Sequence, residues 1–343
     1  LYLQTLTTWN ADVTFISPQL YLNGSTYNGI TYLEKNGATS NNGTGGNTFN
    51  NTVTVVNSGS AYLMMSSATR DVFNGDAYFN NTGSSLIYVA YNDNTGTQFN
   101  ADIYVSSTGG TGINFGGGLG TSTLGFGGVI YTYGSGFTTG TLTFRNFTQS
   151  GNTTQAITLT GTAILALGPA STFGGTTTTT SPSLQLNGCT FTRAYTGTKN
   201  GTANDNSTGG NTFNSTASIT NSGTGQMVLS NTTKDIFNGN VTFTNSNTNV
   251  IYVAHNDATG SQFNGNITIN NTSTGSIRFS QGTGTSTLAN LKTLTVNTPF
   301  SGALYLRNFT QTGTTAQTIN MTLGTGTLYL QTGTVFNGVV NYS

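Results

Sequence analysis

The sequence predicts an all-β protein: a right-handed parallel β-helix (β-solenoid) with about seven coils in each long repeat. Short runs of β-branched and aromatic residues alternate with clusters of Gly, Asn, Ser and Thr, which is typical of strands and turns. No stretch carries apolar residues at helical three- and four-residue spacing. The same strings also return along the chain, which is the signature of a repeat architecture.

The longest period is a repeat of 164 residues. GGNTFN at Gly45 returns at Gly209, and IYVAYND at Ile87 returns as IYVAHND at Ile251. LYLQT, which opens the chain, recurs near its end. We therefore divide one continuous solenoid into long repeat 1 (residues 1–164), long repeat 2 (165–327) and the start of a third repeat (328–343).

A shorter period runs inside each long repeat, marked by an aromatic residue that is usually followed by Asn. In the first repeat, and up to the start of the second, the marks are Trp9, Tyr27, Phe49, Phe73, Phe99, Phe126 and Phe173. The last gap is about twice the others, and the segment beginning at Gln155 is assigned to the unmarked coil. This count gives seven coils in the repeat.

Two β architectures are compatible with these marks. Asn-Gly between alternating runs is a strong hairpin signal and would predict antiparallel blades or a meander. Here Asn-Gly occurs at most once per unit, and Asn-Ala, Asn-Asn or Asn-Ser often replaces it. Those pairs suit a solenoid corner better than a two-residue hairpin turn, so we favour the solenoid, with right-handed crossovers.

Stacking of coils explains why the aromatic–Asn–small motif returns. Equivalent residues of successive coils lie at the spacing of about 4.8 Å between strands. We expect the aromatic rings to face inward and stack, and the Asn amides to hydrogen-bond from coil to coil. We expect the following Gly to adopt the left-handed backbone that a corner needs.

Composition excludes several classes of function. Charged residues make up 5% of the chain and the net charge is zero, so no basic patch is available for nucleic acid or an anionic membrane. No run of 18 apolar residues predicts a membrane span. Apolar residues nevertheless reach 34%, which is too many for a disordered chain.

Carboxylates are too few and too scattered to predict an enzyme. Polysaccharide-cleaving chemistry typically needs two carboxylates held close together. The chain has Glu34 as its one Glu, and eight Asp residues, of which Asp71 and Asp93 recur as Asp235 and Asp257. We expect these four to be solvated turn or corner residues, and we predict no catalytic residue.

Metal and cofactor sites are likewise not predicted. The segments NDNTG at Asn92 and NDATG at Asn256 are oxygen-rich, but they lack the spaced carboxylates of a calcium loop, so an Asx-turn is favoured. The single histidine, His255, aligns with Tyr91. The single cysteine, Cys189, aligns with Ser25 and is interpreted as a small packed side chain.

Two further features of the surface have ordinary explanations, solvent-facing strand Thr and chance sequons. Thr-rich strings at Thr139 and Thr176 are similar to the Thr arrays of ice-binding solenoids, but the pattern does not persist through successive coils. Glycosylation sequons, such as those at Asn146 and Asn308, are expected by chance in a chain so rich in Asn and Thr.

The strings STFGG, TLTGTAILALGP, LNGCTF, GGNTFN and RNFTQ resemble the giant repeat proteins of environmental Bacteroidota. The resemblance covers the whole chain and implies a secreted, surface or fibre-forming β-helix. Its motifs are structural and specify no activity.

The predicted function is therefore mechanical: an extracellular or cell-surface fibre, filament or adhesin shaft. The alternative is a carbohydrate-binding or carbohydrate-cleaving β-helix, with surface glycans as partners. The predicted partners of the shaft are copies of itself, because residues 1–16 match residues 328–343 and both termini fall inside the repeat. We expect continuation in a longer chain, or head-to-tail stacking.

Overall fold

A computed structural model describes residues 1–343 and consists of strands, turns and bends without a helix. Most coils supply one short strand to each of three faces, so a strand usually pairs with its counterpart one coil away. Val53–Asn57, for example, pairs in parallel with Ala77–Asn81, residue for residue. The pairing of successive coils is parallel, which confirms the solenoid and shows that the antiparallel alternative is wrong.

Contacts divide the chain into two units, Leu1–Thr176 (unit 1) and Thr177–Ser343 (unit 2). The first face of unit 1 contains Thr8–Trp9, Thr26–Tyr27, Thr48–Phe49, Val72–Phe73, Thr97–Phe99, Ser122–Leu124, Phe147–Gln149 and Ser171–Phe173. The second face contains Val13–Ser17, Thr31–Lys35, Val53–Asn57, Ala77–Asn81, Ile103–Ser107, Ile130–Phe137 and Gln155–Thr158. The third face contains Tyr2–Leu3, Tyr21–Leu22, Asn41–Asn42, Leu63–Ser66, Ile87–Ala90, Gly112–Phe115, Thr141–Phe144 and Ile164–Leu167.

Unit 2 repeats the arrangement. Its first face contains Cys189–Phe191, Thr212–Phe213, Ile236–Phe237, Ser261–Phe263, Ser286–Leu288 and Phe309–Gln311. Its second face contains Thr177–Ser181, Tyr195–Lys199, Ala217–Asn221, Val241–Asn245, Ile267–Asn271, Leu294–Val296, Gln317–Ile319 and Val340–Tyr342. Its third face contains Ser183–Leu186, Met227–Val228, Val250–Tyr252, Ser276–Phe279, Ala303–Leu306 and Thr327–Leu330.

Alternation along each strand separates the interior from the surface. In Val241–Asn245 the side chains of Val241 and Phe243 are buried, whereas Thr242 and Thr244 are half-buried on the outer side. This period of two is the ordinary consequence of pleating. The interior of each unit is consequently a column of Leu, Ile, Val and Phe side chains enclosed by three sheets.

The aromatic marks of the first face stack as predicted. In unit 1 the ring of Phe73 lies 5.0 Å from that of Phe49 and 4.7 Å from that of Phe99, with the planes nearly parallel. In unit 2 the ring of Phe237 lies 4.7 Å from Phe213 and 5.0 Å from Phe263. Because each ring is buried between two others, the motif must recur at every coil for the column to continue.

The count of about seven coils is confirmed, but one mark was assigned wrongly. Leu124, not Phe126, pairs with Phe99 on the first face, and Phe126 lies outside with 81% of its surface exposed. The coil without an aromatic mark takes its first-face strand from Phe147–Gln149, where Gln149 pairs with Leu124. Phe126 is aromatic and lies two residues after Leu124, the residue that faces inward, so the sequence pattern selects Phe126 in place of Leu124.

The Asn that follows each aromatic forms the expected ladder on the exposed corner. The side-chain amide of Asn74 donates to Asn50 Oδ1 at 2.8 Å, and that of Asn100 donates to Asn74 Oδ1 at 2.7 Å. In unit 2 the amide of Asn238 donates to Asn214 Oδ1 at 2.9 Å. Each amide thus accepts from one neighbouring coil and donates to the other, and the identical residue must recur to maintain the chain of bonds.

The Gly after this Asn does not have the left-handed backbone that the sequence analysis assigned to it. Left-handed glycines lie elsewhere, for example Gly45 and Gly209 with φ near +85°. At Gly75 a Cβ atom would lie 2.5 Å from the backbone carbon of Asn51, and at Gly239 it would lie 2.3 Å from Ser215 O. The motif glycine is therefore selected by close approach of the preceding coil.

Candidate functional site: clefts on the third face

The recurring aspartates are buried, so the prediction that they are solvated turn residues is wrong. Asp71 and Asp235 have 1% or less of their surface exposed. The Oδ1 atom of Asp71 accepts bonds of 2.8 Å from both the backbone and side-chain amides of Asn47, and Ser66 Oγ donates to its Oδ2 at 2.7 Å. That polar partners from neighbouring coils enclose the carboxylate could not be predicted from the sequence.

Asp93 lies in the same buried network. Thr97 Oγ1 donates to Asp93 Oδ2 at 3.0 Å and also lies 3.2 Å from Ser66 Oγ, which itself binds Asp71. The other oxygen of Asp93 accepts from the backbone and hydroxyl of Thr95, which is an Asx-turn. Asp257 has the equivalent contacts in unit 2. These carboxylates therefore stabilise the turns by accepting hydrogen bonds inside the solenoid.

Burial raises the pKa of Asp71 and of Asp235 to about 6, and hydrogen bonds from Ser and Asn only partly oppose that shift. Desolvation disfavours the charged form of a carboxyl group. Both groups lie beneath the surface, where an external substrate has no access. We therefore place the candidate functional site elsewhere.

Cys189 occupies the interior as predicted for a small packed side chain. It is fully buried, and its backbone amide donates to Asn211 Oδ1 at 2.9 Å. Ser25 makes the same backbone bond with Asn47 Oδ1 at 3.1 Å. Burial raises the pKa of the Cys189 thiol far above its ordinary value, which disfavours the reactive thiolate.

An aromatic cleft of about 240 Å³ opens on the third face of unit 1. Tyr88 lies between Tyr62 and Tyr91, with ring centroids 5.8 and 5.0 Å apart and edge-to-face geometry. Tyr62 donates its hydroxyl to Asn42 Oδ1 at 3.0 Å, and Asn92 completes the rim. Tyr88 points outward because its neighbours in the strand, which include Ile87, point into the core.

A second cleft of about 390 Å³ lies on the third face of unit 2. Its lining includes Arg278, whose guanidinium carbon lies 4.3 Å from the ring centroid of Tyr305 and 5.8 Å from that of Tyr252. Arg278 Nε donates to Ser276 Oγ, and Nη1 donates to Gln281 Oε1, both at 3.2 Å. These contacts hold the guanidinium between two aromatic rings.

Equivalent positions in the two units form comparable surroundings. Tyr252 corresponds to Tyr88, and His255 corresponds to Tyr91. His255 Nδ1 lies 2.8 Å from Asn231 Oδ1, and its ring lies 4.7 Å from that of Tyr252. Burial lowers the pKa of His255, which favours the neutral imidazole near neutral pH, but His255 does not line the second cleft as Tyr91 lines the first.

The lining of the two clefts contains aromatic rings, amides, hydroxyls and one guanidinium, and no carboxylate. Such surfaces can bind by stacking and hydrogen bonding, whereas two nearby carboxylates would be needed for ordinary glycosidic chemistry. Nowhere do three or more His, Cys, Asp or Glu side chains gather in positions that could hold a metal ion.

Comparison with known proteins identifies no relative: no family model, curated protein or solved structure matches the chain. The structure also contains no helix with the length and apolar character needed to cross a membrane.

The clefts were not identified from the sequence. Tyr62 and Tyr88 are 26 residues apart, and they meet because each occupies the third face in successive coils. The usable signal was the recurrence of IYVAYND as IYVAHND, in which an outward aromatic follows one buried residue and precedes another. To assign residues to the third face, the number of residues in each coil must be known, and the sequence alone does not show it.

Proposed function

We propose that the chain is a mechanical element, a segment of an extracellular or cell-surface fibre, filament or adhesin shaft. The observation that supports this function is the in-register continuity from coil to coil. Val241–Asn245, for example, pairs residue for residue with the strands of both neighbouring coils. Stacked rings inside and amide ladders outside reinforce the same direction.

Such an arrangement resists extension because strands of neighbouring coils must separate across many backbone hydrogen bonds together. Each bond contributes only about 1 kcal/mol net, so resistance depends on cooperation along three faces. The partners that this proposal implies are copies of the chain itself, joined covalently in a longer polypeptide or stacked end to end. The unpaired backbone groups of a terminal coil are natural templates for such stacking.

The experiment is electron microscopy of the native material, combined with light scattering of residues 1–343 at increasing concentration. We expect uniform filaments in the native material and growth of the isolated segment along one dimension. Compact particles in the native material would contradict the shaft. A segment that stays monomeric at high concentration would exclude end-to-end stacking and leave covalent continuation.

The second candidate function is carbohydrate binding, which the tyrosine cleft of unit 1 favours. Aromatic faces can pack against the apolar face of a sugar ring, while the amides of Asn42 and Asn92 are placed at the rim for its hydroxyls. In unit 2, Arg278 adds a cation that would suit an acidic sugar. Because the clefts contain no carboxylate pair, binding rather than cleavage is the form of this candidate that we propose.

This candidate is tested by affinity electrophoresis in gels that contain neutral or acidic polysaccharides. We expect retardation of the parent chain, and at least tenfold weaker binding, about 1.4 kcal/mol, for Tyr88→Ala in unit 1. Tyr104→Ala is the matched control, because Tyr104 is stacked on Tyr78 on the second face, outside both clefts. Equal retardation of both variants, or none of the parent, would contradict binding at the cleft.

A further inference from the structure

Each unit contains one lysine whose side chain is closed off from solvent. Lys35 and Lys199 have no exposed surface, although a lysine is rarely buried without an ionic partner. Lys35 Nζ donates to the carbonyl oxygens of Gly37 at 2.7 Å and Ala61 at 2.9 Å. Lys199 Nζ donates to Gly201 O at 2.8 Å.

An asparagine lies directly beside each lysine on the adjacent parallel strand. Lys35 is in register with Asn57, and Lys199 is in register with Asn221. In unit 1 the Asn57 amide and the Lys35 amino group donate to the same atom, Ala61 O, at 3.2 and 2.9 Å. The amine nitrogen and the side-chain amide therefore share one small polar pocket inside the solenoid.

The carbonyl oxygen of this asparagine has no partner. Asn221 donates its amide to Gly225 O at 3.0 Å, whereas its Oδ1 atom is buried without a hydrogen bond. An unsatisfied buried acceptor is unfavourable. In the interior, the amide carbonyl is therefore left available to a proton donor.

Unit 2 alone adds a carboxyl group. Asp205 is fully buried, and Asn41 stands at the equivalent position in unit 1. The backbone amide of Asp205 donates to Gln226 O. The neighbouring Gly225 accepts from the Asn221 side chain through its carbonyl oxygen, and its amide donates to Gly201 O. Gly201 O also accepts from Lys199 Nζ. The side chains of Lys199 and Asn221 and the backbone of Asp205 therefore bond to Gly201 or to the turn Gly225–Gln226, and Lys199 and Asp205 are close enough for each to shift the pKa of the other.

We propose that Lys199 and Asn221 form an intramolecular isopeptide bond between adjacent coils, with Asp205 as the proton carrier. The neutral amine of Lys199 attacks Cγ of Asn221, and the Nζ–Cγ bond forms as the Cγ–Nδ2 bond breaks. Protonated Asp205 first donates to the orphaned Oδ1. Its carboxylate then transfers a proton from Nζ to the leaving nitrogen, which departs as ammonia, and the proton on Oδ1 returns to Asp205 as the carbonyl re-forms. No oxidant, metal or energy source is needed.

The interior favours the required protonation states. Burial lowers the pKa of Lys199, against a weaker opposing effect of Asp205, and so favours the uncharged nucleophile. Burial raises the pKa of Asp205 to about 6, which favours its acid form. Hydrogen bonds from Ser183 Oγ and the Leu184 amide to Asp205, at 2.6 and 3.1 Å, hold the carboxyl group in place.

The test is mass spectrometry of the full 343-residue chain after folding. We expect an intact mass lower than the sequence mass by one ammonia, and a branched peptide joining the segments that contain Lys199 and Asn221. Succinimide formation at an Asn-Gly pair loses the same mass, so the branched peptide is the deciding observation. A folded parent chain without that peptide would overturn the proposal.

Two variants separate chemistry from folding. Asp205→Asn recreates the arrangement that unit 1 tolerates, so it should fold and yield no branched peptide. Lys35→Arg alters the equivalent lysine of unit 1 and should leave the Lys199–Asn221 bond fully formed. Formation of the bond in Asp205→Asn would show that Asp205 is not the proton carrier and would overturn its assigned role.

Discussion

The ring of Phe237 stacks on the ring of Phe213 at 4.7 Å with an interplanar angle of 4°. Because Phe263 lies on the opposite side at 5.0 Å, Phe237→Ala removes a ring from the middle of a closed column. We expect the free energy of unfolding of the affected coils to fall by about 3–5 kcal/mol. Urea denaturation followed by circular dichroism measures the change.

The matched control for that prediction is Phe126→Ala, since Phe126 projects from a loop with 81% of its surface exposed. We expect a change within about 0.5 kcal/mol for this variant. Similar losses for both variants would contradict the internal column as the source of stability.

The exposed amide ladder predicts a smaller effect. Asn74→Ala removes one bond donated to Asn50 and one accepted from Asn100, so we expect a loss of about 1–2 kcal/mol. Asn51→Ala is the control, because Asn51 Oδ1 bonds only the adjacent amide of Thr52, and Ala101 stands at the same corner in another coil. If Asn51→Ala is the more destabilising of the two in denaturant melts, the ladder does not stabilise the fold.

The buried carboxyl groups predict greater stability in mild acid. Burial raises the folded-state pKa of Asp71 and Asp235 to about 6, above the ordinary value of 3.8. Between these values the folded chain binds more protons than the unfolded chain, so stability falls as pH rises from 4 to above 6. The two-unit shift corresponds to about 3 kcal/mol for each carboxyl group.

Thermal melts at pH 4.5 and pH 7.5 measure this dependence. The informative variant is Asp71→Asn, which does not titrate, keeps an oxygen to accept from Asn47, and places an NH2 group that can donate to Ser66 Oγ. We expect the difference between the two pH values to shrink in the variant. A parent chain that melts higher at pH 7.5, or a variant with an unchanged difference, would argue against ionisation of Asp71 as the cause.

We expect a substitution of Gly209 by Ala to destabilise the fold severely. Its φ is +84°, and a Cβ atom would lie 2.1 Å from Thr233 O in the adjacent coil. Gly134 also has a positive φ, +59°, but a Cβ atom there meets nothing within 4 Å. Gly209→Ala should therefore lower the melting temperature well beyond Gly134→Ala, which should lose only about 1 kcal/mol. Equal losses would mean that backbone conformation, and not coil approach, decides.

The sequence was sufficient to predict the parts of the fold that depend on repetition. Stacked rings and amide ladders follow from the recurrence of an aromatic and Asn, because parallel in-register strands place like residues together. The right-handed sense of winding follows from the general preference of parallel crossovers and stays a prediction. The surroundings of Asp71 could not be predicted, because its partner Asn47 belongs to another coil, at a distance along the chain set by corner length.

The clefts were missed for a related physical reason. Tyr88 is one of many aromatic residues, and sequence alone does not distinguish a ring that stacks inside from one that contacts Tyr62 outside. Phe126 lies only two residues after Leu124, which pairs with Phe99, and this shift is enough to move its side chain from the buried strand to an exposed loop. Corner length, rather than residue type, was the missing quantity.

The loop that carries Phe126 has a consequence for how the protein could be engineered. A Cβ atom on Gly127 would meet nothing within 4 Å, and the strands on either side, Ser122–Leu124 and Ile130–Phe137, are fixed by their own ladders. Additional residues inserted here would extend into solvent without altering the register of either strand. A foreign epitope could therefore be displayed at this loop. Insertion at the equivalent corners of other coils would place further copies of the epitope at the spacing between those coils.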